Sequence, residues 1–136
     1  MIKKISLFQL YSIRNSVLGE GIPNYSFQYL GDDAESTFHL GFLENEEVIG
    51  ILTVMKINDN VFQFRGMAVD QRFQNKKIGS QLLDYAEKLV AKPNTKIWLN
   101  ARLNAVIFYE KSGYVKNGEF FNIEPIGLHI KMEKHF

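Results

Sequence analysis

Two stretches of this chain combine residue types that can hold an anion and move a proton. The first is Val69-Asp70-Gln71-Arg72-Phe73-Gln74-Asn75-Lys76-Lys77-Ile78-Gly79-Ser80-Gln81-Leu82-Leu83, which reads as a strand end, a polar basic loop and the first turn of an amphipathic helix. Such a junction leaves backbone N–H groups unpaired at the positive end of a helix dipole, where a phosphate chain is the usual guest. The second runs from Trp98 to Tyr114 through Asn100, Arg102, Asn104, Phe108 and Tyr109, a further strand-to-helix unit that carries a phenol. The chain has no cysteine, which excludes disulfides, a thiolate nucleophile and Cys-ligated zinc. His39, His129 and His135 have no ligand spacing, so no metal site is expected.

The elements that must position these stretches can be read from periodicity. Lys4 to Phe8 reads as a strand and Leu10 to Leu18 as a short helix, followed by the glycine- and proline-punctuated loop Gly19–Asn24. Tyr25 to Asp33 fits neither template. Phe38–Leu43, Val48–Lys56 and Val61–Val69 read as an antiparallel meander, with turns at Glu44-Asn45-Glu46-Glu47 and Asn58-Asp59-Asn60. Ile78, Leu82, Leu83, Ala86, Leu89 and Val90 recur at helical spacing, and Lys92-Pro93-Asn94 stops that helix. Lys96–Asn100 reads as a buried strand and Asn104–Ser112 as a short helix closed by Gly113. Tyr114–Ile123 and Leu128–Glu133 read as final strands. The order β-α-β-β-β-α-β-α-β-β predicts an α+β domain spanning residues 1–136, built on a mixed, largely antiparallel sheet. The crossovers require the strands ending at Val69 and Asn100 to be parallel neighbours, with a ligand at their carboxyl ends.

The bulk numbers exclude several classes. A chain of 136 residues with 46% apolar and 23% charged residues is one soluble-type domain with a sizeable core. A net charge of +1 provides no global field for nucleic acid. No apolar run approaches the roughly 20 residues that span a bilayer. The N-terminus lacks a signal peptide's continuous apolar region, so a cytoplasmic location is expected.

The order of elements and the residues above resemble the GNAT superfamily of acyl-CoA-dependent N-acyltransferases over nearly the whole chain. That family's phosphate loop reads Arg/Gln-x-x-Gly-x-Gly/Ala; here it is Gln74-Asn75-Lys76-Lys77-Ile78-Gly79, with Lys77 in place of the first glycine. Phe108-Tyr109-Glu110-Lys111-Ser112-Gly113-Tyr114 resembles the Phe-Tyr-x-x-x-Gly-Phe signature. Arg102 stands where many members have asparagine. The Asn100-Ala101-Arg102 run and the tail Ile126–Met132 resemble a bacterial subgroup of undefined acceptor, with Leu128 where that subgroup has proline. Arg14, Val17, Gly21-Ile22-Pro23, Asp32 and His39-Leu40 match its N-terminal pattern.

The resemblance implies acetyl-CoA as co-substrate and direct attack of a small-molecule primary amine on the thioester, without metal. It places the pyrophosphate on the backbone of Gln74, Asn75, Lys76, Lys77, Ile78, Gly79 and Ser80. The thioester would lie along Met67-Ala68-Val69, where a bulge at Gly66 frees an oxyanion donor. Arg102, Asn104 and Phe108 are further cofactor contacts. Tyr109 is the implied general acid, since a phenol with a pKa of about 10 can protonate a leaving thiolate. His39, Asn100 and His129 are the substrate-side candidates, the histidines because they titrate in the useful range. Each keeps a plain alternative: core packing for Tyr109, capping for Asn104, solvent exposure for Arg102, a structural role for both histidines and a turn for Asn100. A non-catalytic acyl-CoA-binding module is the second function class. An acyl-homoserine-lactone-type synthase is a third, disfavoured by the short chain. The resemblance also allows a homodimer.

Overall fold

The computed structural model describes residues 1–136. An eight-stranded sheet has the order β1-β2-β3-β4-β5-β8-β6, with β7 also paired to β8. The strands are β1 (Ile2–Ile5), β2 (Phe38–Glu44), β3 (Glu47–Asn58), β4 (Val61–Val69), β5 (Lys96–Arg102), β6 (Val115–Lys116), β7 (Phe121–Ile123) and β8 (Gly127–His135). The helices are α1 (Leu7–Ile13), α2 (Ile78–Val90) and α3 (Val106–Lys111). All pairings are antiparallel except β4 with β5, the expected parallel neighbours.

Local chemistry sets the boundaries. The first strand ends three residues earlier than periodicity predicts, because Ser6 caps α1 reciprocally with Gln9 and starts the helix at Leu7. The helical segment then loosens into a π-helical turn, Arg14–Leu18. Asn45 and Glu46 both have positive φ, as a two-residue hairpin turn demands. The single strand expected over Tyr114–Ile123 divides into β6 and β7 around Gly118. Both line β8, so there are eight strands rather than seven. Gly113 at positive φ closes α3: its N–H donates to the Glu110 carbonyl and the Tyr114 N–H to the Tyr109 carbonyl, each at 3.0 Å.

Helices cover both faces. On one face, Ile78, Leu82, Leu83, Ala86 and Val90 of α2 join Val106, Tyr114 and the inward residues of β3, β4, β5 and β8 in an 18-residue core. Leu89, expected in that core, is exposed; Glu87 is buried instead, accepting from the Tyr114 hydroxyl at 2.9 Å and from Lys134 Nζ at 3.0 Å. On the other face, Leu10 and Ile13 of α1 pack on Ile5, Ile51 and Ala68. No helix is long and apolar enough to cross a membrane.

Candidate active site

The site originates in a defect of the sheet. β4 and β5 pair only at Val61–Lys96, Phe62–Ile97 and Gln63–Trp98; beyond that point the parallel strands separate. On its other edge β4 is bulged. Ile51 pairs with Ala68 and Thr53 with Arg65, so Gly66 and Met67 oppose the single residue Leu52. Gly66 has φ +61, a conformation that side chains resist. The bulge bends β4 away from β5, leaves one residue outside the ladder, and opens a V in the middle of the sheet.

The V is a cavity of about 490 Å³ lined by Phe64, Arg65, Gly66 and Met67 on one limb and Leu99, Asn100, Ala101 and Arg102 on the other, with Asn104, Tyr109 and His129 completing the wall. A third side comes from Val17, Leu18, Glu20, Tyr25 and Tyr29 of the N-terminal segment. A second cavity of about 380 Å³ has Tyr25, Tyr29, Arg65, Ile123 and Ile126 of its lining in common with it.

At the end of β4 the chain makes a 3₁₀ turn, Gln71–Phe73, capped by Asp70, and Gln74 Nε2 donates to the Val69 carbonyl at 3.1 Å. Asn75 and Lys77 both have positive φ, and Lys77 is the left-handed residue that precedes α2. No side chain caps α2 and its first turn has no acidic residue. The first intrahelical bond is from the Gln81 N–H to the Lys77 carbonyl, so the amides of Ile78, Gly79 and Ser80 have no partner inside the helix. This is an open, positively polarised amide cluster. Arg72 does not add a free charge to it: the guanidinium is paired with Asp70 at 3.0 Å and Glu47 at 2.8 Å. The bonds that Asp70 accepts from the Arg72 side chain and backbone N–H hold its carboxyl below the usual carboxylate range.

Gly79 ties this loop to α3. A Cβ at that position would lie 3.3 Å from Phe108 Cζ and 3.7 Å from Met67 Sδ. Phe108 and Tyr109 meet edge to face at 5.0 Å, and Tyr109 meets Tyr114 likewise at 5.9 Å. Burial alone pushes the Tyr109 phenol well above its ordinary pKa, so it stays protonated in the physiological range.

His129, on β8, stacks on Phe121 and has Nδ1 2.8 Å from the Gly127 carbonyl. A carbonyl only accepts, so Nδ1 carries the proton and Nε2 of the neutral ring presents its lone pair. Other candidates are placed differently. His39 is absent from the cavity walls: Nε2–H donates to the Asp32 carbonyl at 3.0 Å and Nδ1 accepts from the Thr53 hydroxyl at 2.8 Å, which makes it a structural residue. Arg102 lines the cleft but donates to the Leu18 carbonyl at 2.8 Å, strutting β5 against the N-terminal segment. Asn104 caps no helix; α3 begins at Val106 without a side-chain cap. Ala68 and Ile78 point into the two cores, so only their backbone can face a ligand.

Sequence reasoning missed Arg65, whose only cue was a charge inside an apolar strand. It also gave no role to Arg14 and Asp32, which form a buried ion pair at 2.6 Å.

A split parallel pair, a bulge beside it, an amide-rich loop opening a helix and a phenol on the next helix make up the candidate site. The architecture superposes on Escherichia coli ElaA with a TM-score of 0.84 at 19% identity, covering 98% of this chain and 99% of that one. It also superposes on an aminoglycoside 6'-N-acetyltransferase complexed with coenzyme A, with a TM-score of 0.80 at 17% identity and coverage of 99% and 96%. In sequence, the chain is 32% identical over 140 residues to the uncharacterized N-acetyltransferase YitI of Bacillus subtilis (strain 168), covering 98% of this chain and 94% of that protein. Residues 6–114 match the acetyltransferase (GNAT) family. The chain belongs to the GNAT acetyltransferase family and is an acetyl-CoA-dependent N-acetyltransferase.

Proposed function

We propose that the acceptor is the primary amine of a small molecule, acetylated by direct attack in the V between β4 and β5. The observation that carries this reading is the split itself. Parallel pairing stops at Gln63–Trp98, and the bulge at Gly66–Met67, the Tyr109 phenol and the His129 ring all face the space that opens beyond it.

The chain's residues divide the chemistry as follows. The free amides of Ile78, Gly79 and Ser80, with the left-handed turns at Asn75 and Lys77, receive the pyrophosphate of acetyl-CoA, and Lys76 and Lys77 add positive charge. The N–H released by the bulge near Met67 donates to the carbonyl oxygen as charge develops on it, worth roughly 2.7–4 kcal/mol by analogy with measured oxyanion donors. The amine nitrogen forms a bond to the thioester carbon as the C–S bond breaks. Tyr109 delivers a proton to the departing sulfur. Before attack, His129 Nε2, whose lone pair faces no protein donor, takes one proton from the ammonium and so frees the nitrogen lone pair; the second proton leaves the nitrogen as the amide forms and restores the Tyr109 phenol, so one proton is released overall. Asn100 and Asn104 supply polar contacts along β5 and the turn after it.

The test is thiol release from acetyl-CoA with a panel containing a polyamine, an amino sugar, an aminoglycoside, an amino acid and a peptide. Turnover with a non-peptide amine supports the reading, and turnover confined to the peptide replaces it. Coenzyme A binding without turnover across a broad panel favours a non-catalytic acyl-CoA-binding module.

A further inference from the structure

Residues 19–37, between the π-helical turn and β2, contain no helix or strand, yet they carry Tyr25 and Tyr29 into the wall of the cleft. Long irregular segments in compact domains are ordinarily held for a functional purpose. This one is tied to the sheet by a buried guanidinium. Arg14 is fully buried, and four of its five N–H donors are engaged. Nη1 donates to the Phe27 carbonyl at 2.9 Å and to Asp32 Oδ2 at 2.6 Å; Nη2 donates to Asp32 Oδ1 at 3.1 Å and to Thr53 Oγ1 at 2.7 Å. Asp32 in turn accepts the Tyr29 N–H at 2.8 Å. Thr53 passes its hydroxyl proton toward His39 Nδ1, and His39 Nε2–H returns to the Asp32 carbonyl, closing a ring of hydrogen bonds around the ion pair.

The fifth donor, Arg14 Nε, is buried with no hydrogen-bond partner. It lies against the bulge: a Cβ at Gly66 would stand 3.3 Å from Nε and 3.1 Å from Tyr29 Cε2, while the Tyr29 ring itself sits 3.8 Å from the guanidinium carbon. One side chain therefore touches the acceptor wall and the back of the bulge at once.

We infer that Arg14, locked by Asp32, is a positioning residue for acetyl transfer, holding the Tyr25–Tyr29 wall in register with the Gly66–Met67 bulge. This rests on the proposal that the bulge receives the thioester carbonyl. Arg14 touches no reacting atom; it acts by fixing the distance between the strand that polarises the carbonyl and the loop against which the amine docks. A guanidinium suits this role because its planar fork reaches a carboxylate, a carbonyl and a hydroxyl together, which an ammonium cannot do in a fixed plane.

The experiment uses the full chain with acetyl-CoA labelled with carbon-13 at the thioester carbonyl. The infrared band of the bound carbonyl, relative to free acetyl-CoA, reports polarisation by the bulge without requiring the acceptor. Variants are Arg14→Lys, Asp32→Asn and the charge-neutral pair Arg14→Gln with Asp32→Asn, which leaves no unpaired buried charge and keeps the test open if a single variant fails to fold. In wild type the bound band moves to lower wavenumber. In the folded variants that displacement falls by about half or more while coenzyme A affinity stays within about twofold, because the amide cluster of α2 is untouched. A purely structural pair would lower the melting temperature and leave the bound band where wild type has it, and that result overturns the inference. A wild-type protein that binds acetyl-CoA with no displacement of the band removes the bulge assignment and this inference with it. A shifted wild-type band left unchanged in the variants removes this inference alone.

Discussion

Lys77 occupies the position where the family's phosphate loop has glycine, and its backbone explains that preference. At φ 63 and ψ 18 it is left-handed, it precedes α2 without capping it, and it is exposed. A non-glycine residue in that region costs about 1–2 kcal/mol. Glycine loses about 0.5–1 kcal/mol more chain entropy on folding than a residue with a side chain. With no buried contact to forfeit, Lys77→Gly gains the difference, about 0.5–1 kcal/mol, which for a domain of this size raises the melting temperature by about 2–4 °C. The same change deletes one ammonium beside the amide cluster. Coenzyme A affinity should then fall by about two- to fivefold at low salt and converge on the wild-type value near 1 M salt, where the Debye length is about 3 Å. Thermal melting and calorimetric titration with coenzyme A across ionic strength measure both. A lower melting temperature would show that Lys77 makes a stabilising contact in solution. An affinity loss that persists at high salt would show that the residue does more than supply charge.

Three further outcomes follow from the geometry. Tyr109→Phe keeps the ring between Phe108 and Tyr114 but removes the acid, so turnover falls by about tenfold or more with cofactor affinity held; wild-type rates would remove Tyr109 from the mechanism. Gly79→Val forces branched carbon against Phe108 and Met67, costing about 1–3 kcal/mol and weakening coenzyme A binding, whereas Gly79→Ala needs only a small shift of the Phe108 ring. Burial favours the neutral form of His39 in the fold; the bond to the Asp32 carbonyl and the Asp32 charge oppose it in part, and the nearby Arg14 charge adds a smaller push in the same direction as burial. Its pKa is lowered from 6.5, so the unfolded chain binds the proton first. The stability this contributes is full above that value and is lost as pH falls below it. The melting temperature should therefore fall between about pH 7 and pH 5, and by less in His39→Gln; equal slopes in the two proteins would contradict the closed ring.

Much of the scaffold was legible because its signals are local. The apolar runs Phe38–Leu43, Val48–Lys56 and Val61–Val69 are separated by turn residues, the spacing of Ile78, Leu82, Leu83, Ala86 and Val90 demands a helix, and Gly113 at positive φ closes α3 within one turn. The Ser6–Gln9 box is equally local and starts the first helix about a turn before the position that periodicity predicts. The polar loop before α2 and the phenol of α3 were legible for the same reason: each depends on neighbours within a few positions.

What a linear string cannot show is which side chains meet from distant elements, because satisfaction of a buried polar group depends on partners that only folding supplies. Both histidines carry the same chemistry in sequence; burial between Thr53 and Asp32 makes His39 structural, whereas His129 bonds the Gly127 carbonyl through Nδ1 and lines the cleft. Arg14 and Asp32 are 18 positions apart and become one ion pair. Arg102 and Leu18 are 84 apart and become a strut. The sequence by itself determined the order of elements up to α3 and the amide-rich loop, since those follow from periodicity and backbone preference; the tertiary structure alone decided where β4 leaves β5 and which groups face the opening, since a strand's separation from its neighbour is a balance of packing from both faces of the sheet.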